Sequence, residues 1–212
     1  MYKVTVGICC YKQKEWLYRC LRSLASQTMH KDSFEVVVVN DDPDQDLSDI
    51  CAQVGDALNI RLINNDANLG LPVSLNKILR SARGRYFVRV DSDDYVSKHF
   101  LYMLSSYLDV SKRKQAVACD YKKVTDCGIT LGEFSFKEHP VACGIMFTYE
   151  SLCNIGYYNE EWKMREGHEL LERFDKKYNI GYLDIPLYRY RMHTSNRSNL
   201  EEMKEYDKKL NG

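Results

Sequence analysis

Tyr86-Phe87-Val88-Arg89-Val90-Asp91-Ser92-Asp93-Asp94 is the stretch that decides how this chain reads. An aromatic and β-branched run of this kind is a strand signal. It delivers three carboxylates within four residues to its own C-terminal end, with one arginine in the lead-in. Like charges so crowded raise one another's pKa unless a cation stands among them. Hard oxygen donors at a strand end suit Mg²⁺ or Mn²⁺, ions that commonly accompany a phosphate substrate. Asp-Ser-Asp-Asp is also good turn chemistry. A solvated acidic turn therefore competes until the rest of the chain is read.

Upstream, strand and helix patterns alternate. Val4–Cys10 reads as a buried strand, and Glu15–Gln27 carries Trp16, Leu17, Cys20, Leu21 and Leu24 at helical spacing. Phe34–Val39 is a continuous β-branched run of the kind found in strands covered on both faces. A helix over Leu47–Val54, a strand over Asn59–Ile63, a loop to Gly70 and a helix over Pro72–Ala82 complete the series. Such alternation implies a doubly wound parallel sheet whose ligands sit at the C-terminal strand ends. Tyr11, Asp41 and Asp91 all fall at such ends, and three converging polar positions outweigh the turn reading.

The second half is less regular. Helices are expected over His99–Leu108, Tyr149–Asn154 and Arg165–Lys177, with Leu170, Leu171 and Phe174 facing inward. Strands are expected at Ala116–Cys119 and Gly144–Phe147, and at Tyr182–Tyr190 with a break at Pro186. Phe134–Cys143 stays ambiguous, and Glu201–Gly212 reads as a charged terminal helix.

Bulk composition narrows the function classes. The chain has 212 residues, 44% hydrophobic and 28% charged, which suits one soluble domain with a sizeable core. Thirty Lys and Arg balance thirty Asp and Glu, so no basic surplus points to nucleic acid. The clusters Lys112-Arg113-Lys114 and Lys208-Lys209 are too short to alter that. Eight cysteines without a Cys-x-x-Cys pair suit neither a zinc cluster nor a disulfide scaffold, and read as reduced thiols. The strand opening at Met1-Tyr2-Lys3-Val4 leaves no room for a signal peptide. No apolar stretch approaches the ~20 residues of a membrane helix. The expected location is cytoplasmic, with at most peripheral contact at the membrane face.

Together these segments resemble the GT-A glycosyltransferases, specifically glycosyltransferase family 2. Val6–Tyr11 through Leu21–Thr28 is similar to that family's opening strand, Pro-Thr-Tyr-Asn turn and Gln-Thr helix end. Val37–Asp42 resembles its Val-Val-Asp-Asp-Gly segment. Asn68-Leu69-Gly70-Leu71-Pro72, Asn76 and Ala82–Tyr86 fit its next loop, helix and strand, and Asp91–Asp94 its Asp-x-Asp motif. Cys9 and Cys10 stand where Pro and Thr are usual, Lys12 where Asn is frequent, and Asn40 where Asp is common. The resemblance implies an α/β fold: a GT-A, Rossmann-like, mostly parallel sheet flanked by helices, with a smaller acceptor-side second half. Residues 1–97 would bind the nucleotide-sugar and 98–212 the acceptor and catalytic base, in one continuous domain.

The implied activity is inverting, metal-dependent and nonprocessive. A sugar would pass from a nucleotide-diphosphate donor, UDP-linked by the pattern at Asp41, to a hydroxyl of a glycan or lipid-linked acceptor in cell-surface polysaccharide synthesis. Tyr11 would stack on the base and Asp41 accept its ring N–H. Asn68 and Gly70 would line the slot, and Asp91 would contact the ribose or the ion. Asp91, Asp93 and His193 form the implied Mn²⁺ or Mg²⁺ set, and Arg191 would close over the diphosphate. Asp94 would meet the acceptor or cap a helix. The general base would open a helix in the second half. Glu166 is the first candidate, Glu169 the second and His168 the third, because Gly167 stands where the family's acid is frequent. Two rivals remain: a non-catalytic nucleotide-sugar-binding scaffold, and a sugar-phosphate nucleotidyltransferase. The latter normally has a glycine-rich basic loop, unlike Cys9–Gln13.

Overall fold

The computed structural model describes residues 1–196 and residue 206. The expected helix over Glu201–Gly212 lies outside the described residues apart from Tyr206. The first half runs β1 (Tyr2–Cys10), α1 (Lys14–Ala25), β2 (Phe34–Asn40), α2 (Ser48–Val54), β3 (Ile60–Asn64), α3 (Leu71–Ser81) and β4 (Gly84–Arg89). β1 pairs in parallel with β2 on one side and β4 on the other, and β3 pairs in parallel beyond β2. All seven residues of β2 are buried, as a strand covered on both faces requires. Its side chains alternate: Val36 and Val38 pack with Leu17, Leu21 and Leu24 of α1, while Val37 and Val39 pack with Leu75, Ile78 and Leu79 of α3. Each fully buried valine or leucine of this kind contributes about 1.5–3 kcal/mol of transfer free energy.

The second half comprises β5 (Tyr95–Val96), α4 (Phe100–Val110), β6 (Ala116–Thr125), β7 (Thr130–Phe134), β8 (Met146–Thr148), α5 (Tyr149–Ile155), α6 (Glu166–Asp175) and β9 (Ile180–Met192). The sheet order is β3-β2-β1-β4-β8-β6-β9-β5, with β7 paired to β6. Beyond β4 the sheet turns mixed: β8 is antiparallel to β4 and β6, and β9 is parallel to β6.

Three expectations change here. The strand at Ala116–Cys119 extends to Thr125. The expected break at Pro186 is absorbed within one strand, where Leu183 faces Cys119 and Pro186 faces Asp120. Two extra residues of β9 bulge out there, and a proline lacking an N–H fits such an irregularity. The stretch from Phe134 to Cys143 ends β7 and then leaves the sheet. In α6, Leu170 and Phe174 are buried, whereas Leu171 is half-buried. Among the described residues no helix is long and apolar enough to cross a membrane, and all eight cysteines are free thiols.

Candidate active site

A cavity of about 230 Å³ opens at the C-terminal ends of β1 and β4, facing the first turn of α6. Asp91, Asp93 and Asp94 line it from below, and Glu166 lines it from the side.

Asp93 is buried at 8% exposure. Its Oδ2 accepts from Gln13 Nε2 at 2.9 Å and pairs with His193 Nε2 at 2.9 Å. Among the described residues no arginine or lysine pairs with it. Burial and the neighbouring Asp91 push its carboxyl above the usual range, and the His193 contact pulls the other way. His193 stacks on Trp16 with ring centroids 4.1 Å apart. Trp16 Nε1 in turn donates to Asp126 Oδ1 at 2.7 Å, in the turn between β6 and β7. Of the expected set, Asp93 and His193 meet across a hundred residues of sequence, whereas the ligand atoms that lie within 4.8 Å of one another among the described residues are those of Asp91, Asp94 and Cys143.

Two residues take roles different from those expected. Asp94 accepts from the Tyr188 hydroxyl at 2.7 Å through Oδ2 and from the Arg191 amide at 2.7 Å through Oδ1. At 2% exposure it anchors β9 rather than offering itself to an acceptor or capping a helix. Burial, with Asp93 and Asp91 nearby, holds its carboxyl well above the ordinary value. Arg191, expected over a diphosphate, is equally buried. Its Nε donates to the Asp93 carbonyl at 2.6 Å and its Nη1 to the Asp126 carbonyl. It locks the strand end in place.

Arg89 joins the two sides of the cavity. Its Nε donates to Asp91 Oδ1 at 2.5 Å and its Nη2 to Asp91 Oδ2 at 3.1 Å, a two-pronged pair. Its Nη1 donates to Glu166 Oε1 at 2.9 Å. Glu166 is 5% exposed and is the first residue of α6, where the helix dipole favours an anion. Gly167 follows for a steric reason: a Cβ there would run into the Cβ of Ala142. The family's frequent acid therefore has no room at this position. Arg165, just before the helix, adopts φ 59°.

Glu169, the second candidate base, does not line the cavity. It forms a two-pronged pair with Arg173 at 2.5 and 2.9 Å, and Arg173 also donates to the carbonyls of Ile155 and Tyr157 beyond α5. That network splices α6 to the end of α5, so Glu169 is structural. His168 does line the cavity, and burial together with Arg165 lowers its pKa.

The expected nucleotide contacts form a separate cluster beside the cavity. Asp41 Oδ1 accepts from Asn65 Nδ2 at 2.7 Å and the Leu69 amide at 2.9 Å, and Oδ2 accepts from the Gly70 amide at 2.9 Å. Both oxygens are committed to the loop that enters α3, in place of the open acceptor expected. Asn68 closes the same loop by accepting from the Gly70 amide at 3.1 Å. Gly70 has φ 87°, a left-handed conformation suited to glycine. Tyr11 is 40% exposed at the rim. None of these four lines the cavity, whereas their neighbours Cys9, Gln13 and Leu71 do.

Sequence reading missed Gln13, Trp16 and Arg89. The signal for the first lay in Lys12, whose φ of 56° is the left-handed conformation that an Asn there tolerates best. That turn aims the next side chain at Asp93.

Comparison with known proteins agrees with this geometry. The sequence model described as Glycosyl transferase family 2 matches residues 5–128, more than half of the chain. The chain belongs to glycosyl transferase family 2. EpsH of Bacillus subtilis (strain 168) is 26% identical over 231 residues, covering 98% of this chain and 64% of EpsH. Staphylococcus aureus (strain Mu50 / ATCC 700699) TarS, a poly(ribitol-phosphate) beta-N-acetylglucosaminyltransferase, is 33% identical over 110 residues, 51% of this chain and 19% of TarS. The chain thus spans less than two thirds of either relative.

Structures of S. aureus TarS 1–349 with UDP and with UDP-GlcNAc superpose with TM-scores of 0.76 and 0.77, at 26% and 24% identity. They cover 90% and 93% of this chain, and 60% and 61% of those chains. The mannosyltransferase PcManGT from Pyrobaculum calidifontis, in complex with GDP-Man and Mn²⁺, shares the fold at TM-score 0.74 and 17% identity, over 100% of this chain and 66% of that one. The curled, mostly parallel sheet flanked by helices is the GT-A architecture of these neighbours.

Proposed function

We propose that this chain carries the catalytic site of an inverting, nonprocessive glycosyltransferase. It moves one sugar from a UDP-linked donor to a hydroxyl of a glycan or lipid-linked acceptor. The observation that carries the reading is a single cavity lined by both Asp93 and Glu166. The UDP and UDP-GlcNAc complexes of TarS support the donor class.

A divalent cation fits the residues present. Asp93 has hard oxygen donors, its Oδ2 is braced by Gln13 and His193, and the residue lines the cavity. Burial and the neighbouring carboxylates push the Asp93 and Asp94 pKa values up, and among the described residues no Arg or Lys side chain pairs with either carboxylate, a deficit a cation would relieve. Asp93 would hold the ion, with Asp91 and His193 adjoining. When bound, it supplies charge neutralisation for the departing diphosphate. PcManGT, solved with Mn²⁺, supports the ion type.

Glu166 performs the proton transfer. Its Oε1 is fixed by Arg89, and the residue lines the cavity. The acceptor oxygen bonds to the anomeric carbon as the bond from that carbon to the β-phosphate oxygen breaks. The hydroxyl proton passes to Glu166 Oε2, and the electron pair leaves with the nucleoside diphosphate. His168, its pKa lowered by burial and by Arg165, also lines the cavity.

A panel of nucleotide sugars, assayed with Mn²⁺ for nucleoside diphosphate release, tests the reading. Release from UDP-sugars that is lost on chelation is expected. Donor binding without any release would favour the non-catalytic scaffold.

A further inference from the structure

We infer that Arg89 is a positioning residue that sets the aim of the general base and is itself held in register by Asp91. This rests on the reading of Glu166 as the base. Arg89 is 7% exposed, and all three of its guanidinium nitrogens are spent within the cavity wall. Two meet Asp91 in a fork, which fixes both the position and the plane of the group. The third is thereby directed at Glu166 Oε1 across 77 residues of sequence.

With Oε1 taken, Glu166 has one oxygen, Oε2, to offer an acceptor hydroxyl, and its orientation is set by Arg89. Gly167 belongs to the same device: the position a Cβ would take there lies 3.6 Å from Arg89 Nη1 and collides with Ala142. A bare backbone lets α6 approach β4 closely enough for the Arg89–Glu166 bond to form. The side chain at residue 89 therefore couples the donor-side motif to the acceptor-side base.

Arg89→Lys and Arg89→Met, with Glu166→Gln and the double variant Arg89→Met/Glu166→Gln, test this in the intact chain. The readouts are kcat, donor KM, Mn²⁺ affinity and thermal midpoint. Displacing a catalytic group by about 1 Å can cost about 100-fold in rate, so a kcat loss of that order is expected for Arg89→Met. Arg89→Lys keeps the charge but cannot make the fork, so it is expected to remain at least about tenfold slow. Donor KM and Mn²⁺ affinity should move far less than kcat in both, since Asp93 keeps its own partners and only the Asp91 fork is released. The double variant should be no slower than Glu166→Gln alone, as expected of groups that act as a unit.

If Arg89→Met does not fold, Arg89→Lys carries the test. Wild-type kcat in Arg89→Lys overturns the inference. So do a donor KM that rises in step with the kcat loss, and effects that multiply in the double variant. Slow Glu166→Gln with fast Arg89 variants would sink the positioning role alone. Fast Glu166→Gln would sink the base assignment itself.

Discussion

The two walls of the cavity handle negative charge in opposite ways. On the donor side, Asp91 is paired with Arg89, but Asp93 and Asp94 crowd together beyond it, and the groups that meet their carboxylates are an imidazole, an amide side chain, a phenol, a thiol and a backbone amide. On the acceptor side, Glu166 is met by the guanidinium of Arg89. Charge left uncompensated by the protein calls for a cation from outside, whereas charge already compensated leaves a carboxylate free for proton work. The difference supports the roles proposed for the two walls better than the presence of acids alone.

The comparison can be broken first at the base. Glu166→Gln is expected to lower kcat by about 10²–10⁴-fold, the usual range for a lost general base, with donor affinity unchanged. Steady-state rates beside donor titration decide it, and an unaltered kcat would move the base elsewhere. Glu169→Gln sharpens the contrast within one helix. Loss of the pair with Arg173 should destabilise the fold by about 1–2 kcal/mol, while kcat stays within about threefold. Chemical denaturation together with rates separates the two effects.

The smallest effect concerns His168. Its pKa is lowered in the folded state, so the folded chain resists protonation there. The resulting penalty is absent above the ordinary histidine value of about 6.5 and grows as pH falls below it. His168→Asn should therefore lose less stability than wild type between pH 7 and pH 5, the smallest of these effects. Thermal midpoints at the two pH values read this directly, and parallel curves would remove His168 from the acid response.

Much of the first wall was legible in the sequence because its determinants are local. The continuous apolar run of β2 and the carboxylates after β4 are decided by neighbours within one element. The second wall is decided by pairings across the chain, which no local period records. β5 is only two residues long and exists because Tyr95 and Val96 pair with Arg189 and Tyr188. Arg89 stood in the deciding stretch, yet its partner Glu166 lies 77 residues away. Arg191 and Asp41 look like ligand contacts by residue type, and only their neighbours show them committed to β9 and to the α3 entry loop. Gly167 read as a lost acid, but the position of Ala142 shows a site where no side chain fits.

The most direct measurement is UDP binding to wild type and to Asp93→Asn, by calorimetry with and without Mn²⁺. Wild type should bind UDP strongly only when Mn²⁺ is present, and Asp93→Asn should lose that gain while keeping the wild-type thermal midpoint in its absence. Equal UDP affinity in both proteins, indifferent to Mn²⁺, would contradict the division of the cavity into a cation-requiring wall and a self-compensated one.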